Sequence, residues 1–335
     1  MLEFLAANPV AAFGAMFADP SNRWFALYLA SSVVFAFVVY QIQARRDPET
    51  AAEGFLGFAF PRELWSHPST RLDLVYWIIN KTLFATLLVG TSYIALVIDR
   101  GIGWLTQSLP LEGLVPAPLG VAIAATTLGM VLAFDFGLWL AHYLGHRVPF
   151  LWEFHKVHHS VEVLTPLAAG RVHPVDDVLS LVFAGLFSGL SMAGARILFG
   201  ADALVLNAFQ AHIVLLAFYL LGFHLRHSHV WLPYTGWLGH LLISPAHHQV
   251  HHSAEERHWD RNMGFIFAIW DWMFGTLWVP AKEKESFRLG LGGEEREFSS
   301  VARLYLRPFA KIGARLAVAA RPRGARPAGS PESAA

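Results

Sequence analysis

The stretch Asp135–Ser160, DFGLWLAHYLGHRVPFLWEFHKVHHS, decides how the chain is read. It closes a long apolar run and carries five histidines within its last nineteen residues. His142 and His146 are four apart and share one face of a helix. His155, His158 and His159 follow at i, i+3 and i+4, again one helical face. The same triplet recurs at His248, His251 and His252. A lone histidine on an apolar helix is usually a hydrogen-bonded core residue. Two such triplets plus a His-x3-His, each beside an apolar run, are hard to reconcile with that. Neutral imidazole is a ligand for iron, zinc or copper. Eight imidazoles exceed what one ion accepts, so the count predicts a pair of metals.

Composition sets the surroundings. Of 335 residues, 55% are hydrophobic and 15% charged, well under the roughly 25% charged of soluble domains. Mean hydropathy is positive. Formal net charge is zero, which offers no basic field to nucleic acid. The chain has no cysteine, which removes disulfides, thiolate metal sites, iron–sulfur clusters and a thiol nucleophile.

The apolar runs predict an all-α, polytopic membrane helix bundle. Runs long enough to cross a bilayer, about 20 residues, are Trp24–Ile42, Leu72–Ile98, Pro118–Leu144, Val178–Phe199 and Ala203–Phe223. That makes about five spans. With the N-terminus outside, the inside loops hold Arg45, Arg46, Arg62, Arg71, Arg147, Lys156, Arg171 and Arg226. The outside segments hold little beyond Arg23, Arg100 and Arg196, which agrees with the positive-inside rule. The histidine-rich dimetal domain then faces the cytoplasm. Leu5–Phe17 reads as an interfacial helix, and residues 260–280 as a re-entrant or interfacial helix. Residues 301–320 form a basic amphipathic segment, and a Pro/Gly/Ala/Ser-rich disordered tail follows. Three sections result: 1–70, with the interfacial segment, first span and loop; 71–280, the metal-binding catalytic domain; and 281–335.

A histidine-only dimetal site suits redox-active iron better than zinc, which is content with four ligands. Two irons with open positions can activate dioxygen for attack on an unactivated C–H bond, chemistry that side chains alone do not supply. Ligating histidines need an acceptor on the outer ring nitrogen. Asp135, embedded in an apolar span and seven residues before His142, is the first candidate for that outer position. Trp139 shares its face. Glu153, Asp176, Asp177, Asp260 and Asp271 are further candidates. His224 and His227 stand ready to complete the metal shell, while His173 is better suited to orienting its loop or to hydrogen-bonding a ligand.

These residues resemble the fatty acid hydroxylase/sterol desaturase superfamily of integral membrane non-haem diiron enzymes. The resemblance covers roughly residues 70–280. It rests on Asp135-x6-His142-x3-His146, His155-x2-His158-His159, Arg171-Val-His-Pro174, His227-Ser228 and Pro245-Ala-His-His248-x2-His251-His252-Ser253. Asp260-x-Asn262-x-Gly264 and Trp270-Asp271-x2-Phe274-Gly275-Thr276 complete it. It implies that His142, His146, His155, His158, His159, His248, His251 and His252 hold two irons, joined by His227 and by His224. It also implies O2 as co-substrate. Tyr143, Asp176 and His229 depart from the common pattern, which leaves the substrate open.

The expected function is O2-dependent hydroxylation of a lipid, whether fatty acyl, sphingolipid, sterol-like or carotenoid. Electrons come from a separate donor on the cytoplasmic side. A desaturase on the same site is the alternative, and a membrane metal-binding or transport protein the alternative of another class. Transport predicts ionisable ligands near the bilayer midplane, whereas these histidines cluster at span ends. The Ala-, Gly- and Arg-rich composition points to a bacterial inner membrane.

Overall fold

Pro149 fixes where the histidine-bearing helices break. The preceding residue, Val148, is extended (φ −98°, ψ 115°), as a residue before proline prefers. Pro149 then opens the next helix at its first position, where its missing N–H costs nothing. The long helix before the break therefore stops at Arg147, and the next carries His155, His158 and His159 on a new axis.

The computed structural model describes residues 13–83, 112–209 and 211–320, with isolated positions between 97 and 108. The described helices are α1 (Ala26–Ala44), α2 (Pro48–Ala59), α3 (Pro68–Leu83), α4 (Leu119–Arg147), α5 (Pro149–His159), α6 (Pro174–Phe199), α7 (Ile213–Leu220), α8 (Gly236–Leu241), α9 (Pro245–His251), α10 (Ile269–Met273) and α11 (Val301–Ala319). A short turn of helix, Arg62–Trp65, joins α2 to α3.

Among the described residues, three helices are long and apolar enough to cross a membrane: α1, α4 and α6. The chain is a multi-pass membrane protein. On α1, Tyr28, Ser32, Ala36 and Val39 are buried along one face, while Leu27, Val34, Phe37, Val38 and Ile42 are exposed. Exposed aliphatic side chains on such a helix are a lipid-facing surface. At about 1.5 Å per residue, the 29 residues of α4 exceed the thickness of a bilayer core. α6 runs back along α4. The two approach so closely at Gly137 that a Cβ there would lie 2.6 Å from the Phe183 carbonyl oxygen. The His173 side chain caps α6 by accepting from Val175 N (3.1 Å), and its other ring nitrogen donates to the Tyr305 carbonyl.

The structure departs from the sequence reading in two places. Ala203–Phe223 is not one spanning helix. It holds a two-residue hairpin pairing Asn207 with His212, a left-handed Phe209, and then the eight-residue α7. Gly222, at φ 79°, ends that segment, and a 3-10 turn, Phe223–His227, follows. Residues 260–280 are largely irregular, with helix only over α10. The basic amphipathic segment forms α11, which packs against α3 and α5 through Tyr76–Tyr305 and Phe154–Phe309 ring contacts. The expected helix Leu5–Phe17 lies mostly outside the described residues, as do the middle of the run Leu72–Ile98 and the tail 321–335.

Candidate metal centre

Nine histidines converge in two groups. His142, His146, His155, His159 and His251 form the first, and His158, His227, His248 and His252 the second. Within each group one ring nitrogen per residue lies within 4.8 Å of the others. The two triplets are shared crosswise. α5 gives His155 and His159, one turn apart, to the first group and His158 to the second. α9 and the residue after it give His248 and His252 to the second group and His251 to the first. Adjacent histidines in each triplet thus serve different groups, and the groups lie side by side.

The inner nitrogens are close. His142 Nε2 lies 3.0 Å from His251 Nε2, and His155 Nε2 3.1 Å from His159 Nε2. In the second group His227 Nε2 lies 3.0 Å from His248 Nε2 and 3.4 Å from His158 Nε2. Such edges are what imidazole nitrogens about 2.1 Å from one ion span.

The outer nitrogens show which tautomer is present. His142 Nδ1 donates to the Met263 carbonyl (2.8 Å) and His251 Nδ1 to the Arg261 carbonyl (2.7 Å). His158 Nδ1 donates to the Arg171 carbonyl (3.2 Å). His155 Nδ1 faces Asp176 Oδ2 at 2.8 Å, and His146 Nδ1 faces Asp260 Oδ1 at 3.2 Å. Carbonyl and carboxylate oxygens only accept, so these Nδ1 atoms carry the protons and the Nε2 atoms carry inward lone pairs. Burial, reinforced by neighbouring imidazoles, holds His158, His159, His227, His248, His251 and His252 well below the ordinary imidazole range. Neutral rings with lone pairs turned on one another repel unless a cation lies between them. His146 Nε2, buried with no hydrogen-bond partner among the described residues, fits the same account. The donor set fits a pair of metal ions.

The structure does not bring His224 to either group. Its Nε2 donates to the Arg23 carbonyl at 2.8 Å. Asp135 holds no histidine either. Its carboxylate accepts from Ile266 N (2.7 Å), Phe267 N (3.0 Å) and Trp270 Nε1 (2.9 Å), fastening loop 266–270 to α4. An acid in an apolar helix needs donors, and here the backbone supplies them. Asp271 does parallel work. It accepts from Met263 N, Gly264 N, Thr276 Oγ1 and Trp139 Nε1, which fixes the Met263 carbonyl that receives His142.

One supporting pair was not anticipated. Arg171, whose carbonyl receives His158, has its fully buried guanidinium on Asp73 and on the Ser69 and Ser160 oxygens. The available signal was an acid inside the apolar run at 72–79, as with Asp135. A cavity of about 320 Å³ reaches the first group at His146, His159 and His251, and Lys156, Asp260 and Glu294 also line it.

Residues 127–276 match the fatty acid hydroxylase family. The ornithine lipid hydroxylase OlsE of Rhizobium tropici is 31% identical over 200 residues, 58% of this chain and 54% of that protein. Human alkylglycerol monooxygenase is 30% identical over 146 residues, 44% of this chain and 29% of that protein. The Delta(7)-sterol 5(6)-desaturase erg3C of Aspergillus fumigatus is 25% identical over 275 residues, 78% of this chain and 81% of that protein. The chain thus spans about half the length, or less, of the first two. No solved structure matches it. With its histidines in two groups and its sequence aligned to hydroxylases and a sterol desaturase, the chain carries over residues 127–276 a region similar to the fatty acid hydroxylase family.

Proposed function

We propose that the chain is an O2-dependent membrane oxidoreductase that hydroxylates an unactivated C–H bond of a lipid at a diiron centre. The observation that carries this reading is the pair of imidazole groups with inward Nε2 lone pairs. Five nitrogen donors in one group exceed the four that satisfy zinc, which favours iron. Iron, when bound, supplies the activation of dioxygen. Inserting one oxygen atom consumes one O2, two electrons and two protons, and releases water.

The chain's own residues position this chemistry. Asp176 and Asp260 hold His155 and His146 in the Nδ1–H form, and the Met263, Arg261 and Arg171 carbonyls do the same for three more. Asp135 and Asp271 hold residues 263–267 against α4, which keeps the Met263 carbonyl in place. We assign electron delivery to a separate donor on the water-facing side, which we take to be cytoplasmic in a bacterial inner membrane. The cavity beside His146, His159 and His251, lined also by Lys156, Asp260 and Glu294, supports an approach from water.

Desaturation is the second reading, favoured by the match to a sterol desaturase along 78% of this chain. The two outcomes differ in whether the substrate radical takes up oxygen or loses a second hydrogen. Untargeted lipid mass spectrometry separates them, comparing wild type, a deletion strain and a His251→Ala/His252→Ala strain. A lipid heavier by one oxygen only with the intact site is the expected result. A loss of two hydrogens moves the reading to desaturation, and unchanged lipids contradict both.

A further inference from the structure

An apolar cavity of about 290 Å³ lies behind α1, between that helix, the residues after α5 and the 3-10 turn Phe223–His227. Half-exposed Val33 on α1 and Phe60 line its outer edge, on the side where α1 presents aliphatic side chains to lipid. The turn that forms its inner wall also carries His227 of the second imidazole group. The cavity is therefore placed between hydrocarbon and the metal centre.

Four of its wall residues, Trp24, Trp77, Thr165 and His224, have something in common. Trp24 Nε1, Trp77 Nε1, Thr165 Oγ1 and His224 Nδ1 are buried and have no hydrogen-bond partner among the described residues. Trp24 links the group, with ring centroids 4.8 Å from Trp77 and 5.1 Å from His224. Leaving buried polar atoms unmatched is costly, so four around one cavity need an explanation. The hydrogen-bond roles are set. His224 Nε2 donates to the Arg23 carbonyl, so its Nδ1 bears a lone pair and accepts. The two indole N–H groups only donate, and the Thr165 hydroxyl can do either.

We propose that this cavity is the lipid-binding site, and that it selects a single apolar chain bearing a group that both donates and accepts a hydrogen bond, a hydroxyl or a secondary amide. Such a group satisfies His224 Nδ1 with its proton and an indole N–H with its oxygen. An ester can only accept and leaves His224 unmatched. The inference deepens the reading of the chain as a lipid oxidoreductase and rests on it. It also assigns His224 a role in substrate recognition in place of metal ligation.

Photo-crosslinking of the metal-loaded protein in lipid nanodiscs tests this without turnover. The probes are diazirine-bearing hexadecan-1-ol, N-methylhexadecanamide and methyl hexadecanoate. The expected result is labelling of peptides containing Val33, Thr165 or His224 by the alcohol or the amide, at least fivefold above the ester. Thr165→Val and His224→Phe should each lower that labelling at least threefold with metal content unchanged. Equal labelling by all three probes, labels confined to other peptides, or full labelling of both variants overturns the proposal. A variant that loses metal is misfolded, and the other then decides. Specific labelling of a protein that oxidises no lipid would fault the hydroxylase reading and leave the cavity assignment standing. Lipid oxidation with labels elsewhere would do the reverse.

Discussion

His142 and His251 turn their Nε2 atoms on each other across 3.0 Å, while each Nδ1 is tied to a backbone carbonyl that can only accept. Two neutral rings fixed in this tautomer have lone pairs facing one another, an arrangement that a bound cation relieves. Removing metal therefore destabilises the fold. At ligand concentrations near 100 times the dissociation constant, binding contributes about 2.7 kcal/mol per site. Chelator treatment in mild detergent is expected to lower the Tm, and added Fe(II) to restore it. A Tm indifferent to chelation would count against a preorganised centre.

Asp176 and Asp260 hold His155 and His146 from outside. Asp176→Asn and Asp260→Asn each remove a charge that raises ring basicity, while leaving an oxygen able to accept. Loss of such outer partners typically costs about 10–100-fold in metal affinity. Competition titrations with a chromophoric chelator should show that drop for each variant. Glu49→Gln, at an exposed position in the first turn of α2, should show none.

Asp135 gives a contrasting case. It binds three N–H donors of loop 266–270 and touches no imidazole. In Asp135→Asn the amide end turns an N–H toward one of those donors. The expected loss is about 1–3 kcal/mol of stability, with metal affinity changed less than in Asp176→Asn. Parallel denaturation and chelator titrations measure both. A selective loss of metal with stability intact would restore the sequence expectation that Asp135 supports a histidine.

Gly137 is where α4 and α6 touch. A Cβ there would lie 2.6 Å from the Phe183 carbonyl oxygen and 2.8 Å from Ala184 Cα, both backbone atoms that cannot swing away. Gly137→Ala should lose about 1–3 kcal/mol through overpacking. Gly120→Ala, on the same helix with nothing among the described residues within 4 Å of its Cβ position, is the control and should be neutral or slightly stabilising.

The clustering of the histidines was legible because residues on one helical face recur at i, i+3 and i+4, and both triplets do. Their crosswise division was not legible. It depends on how α5 and α9 face each other, which no local spacing encodes. The Met263, Arg261 and Arg171 carbonyls were invisible for a related reason, since every residue carries a carbonyl and only the fold selects which one meets a ring. Asp135 stood out as an acid in an apolar helix, but that signal says only that donors are needed, and the expected histidine partner is replaced by Ile266 N, Phe267 N and Trp270 Nε1. Composition misled at Ala203–Phe223. It is as apolar as a span, yet its chain turns at Phe209 and again at Gly222, and hydrophobicity reports the surroundings of a segment, not its path.

The central claim is that the nine imidazoles hold two ions in separable groups. The direct measurement is iron per chain, by elemental mass spectrometry after anaerobic loading with Fe(II) and desalting. Wild type should hold two. His142→Ala/His146→Ala, which strips two ligands from the first group, should hold one, and so should His248→Ala/His252→Ala, which strips two from the second. One iron in the wild type that disappears in both double variants would contradict the account, as would a wild type that retains none.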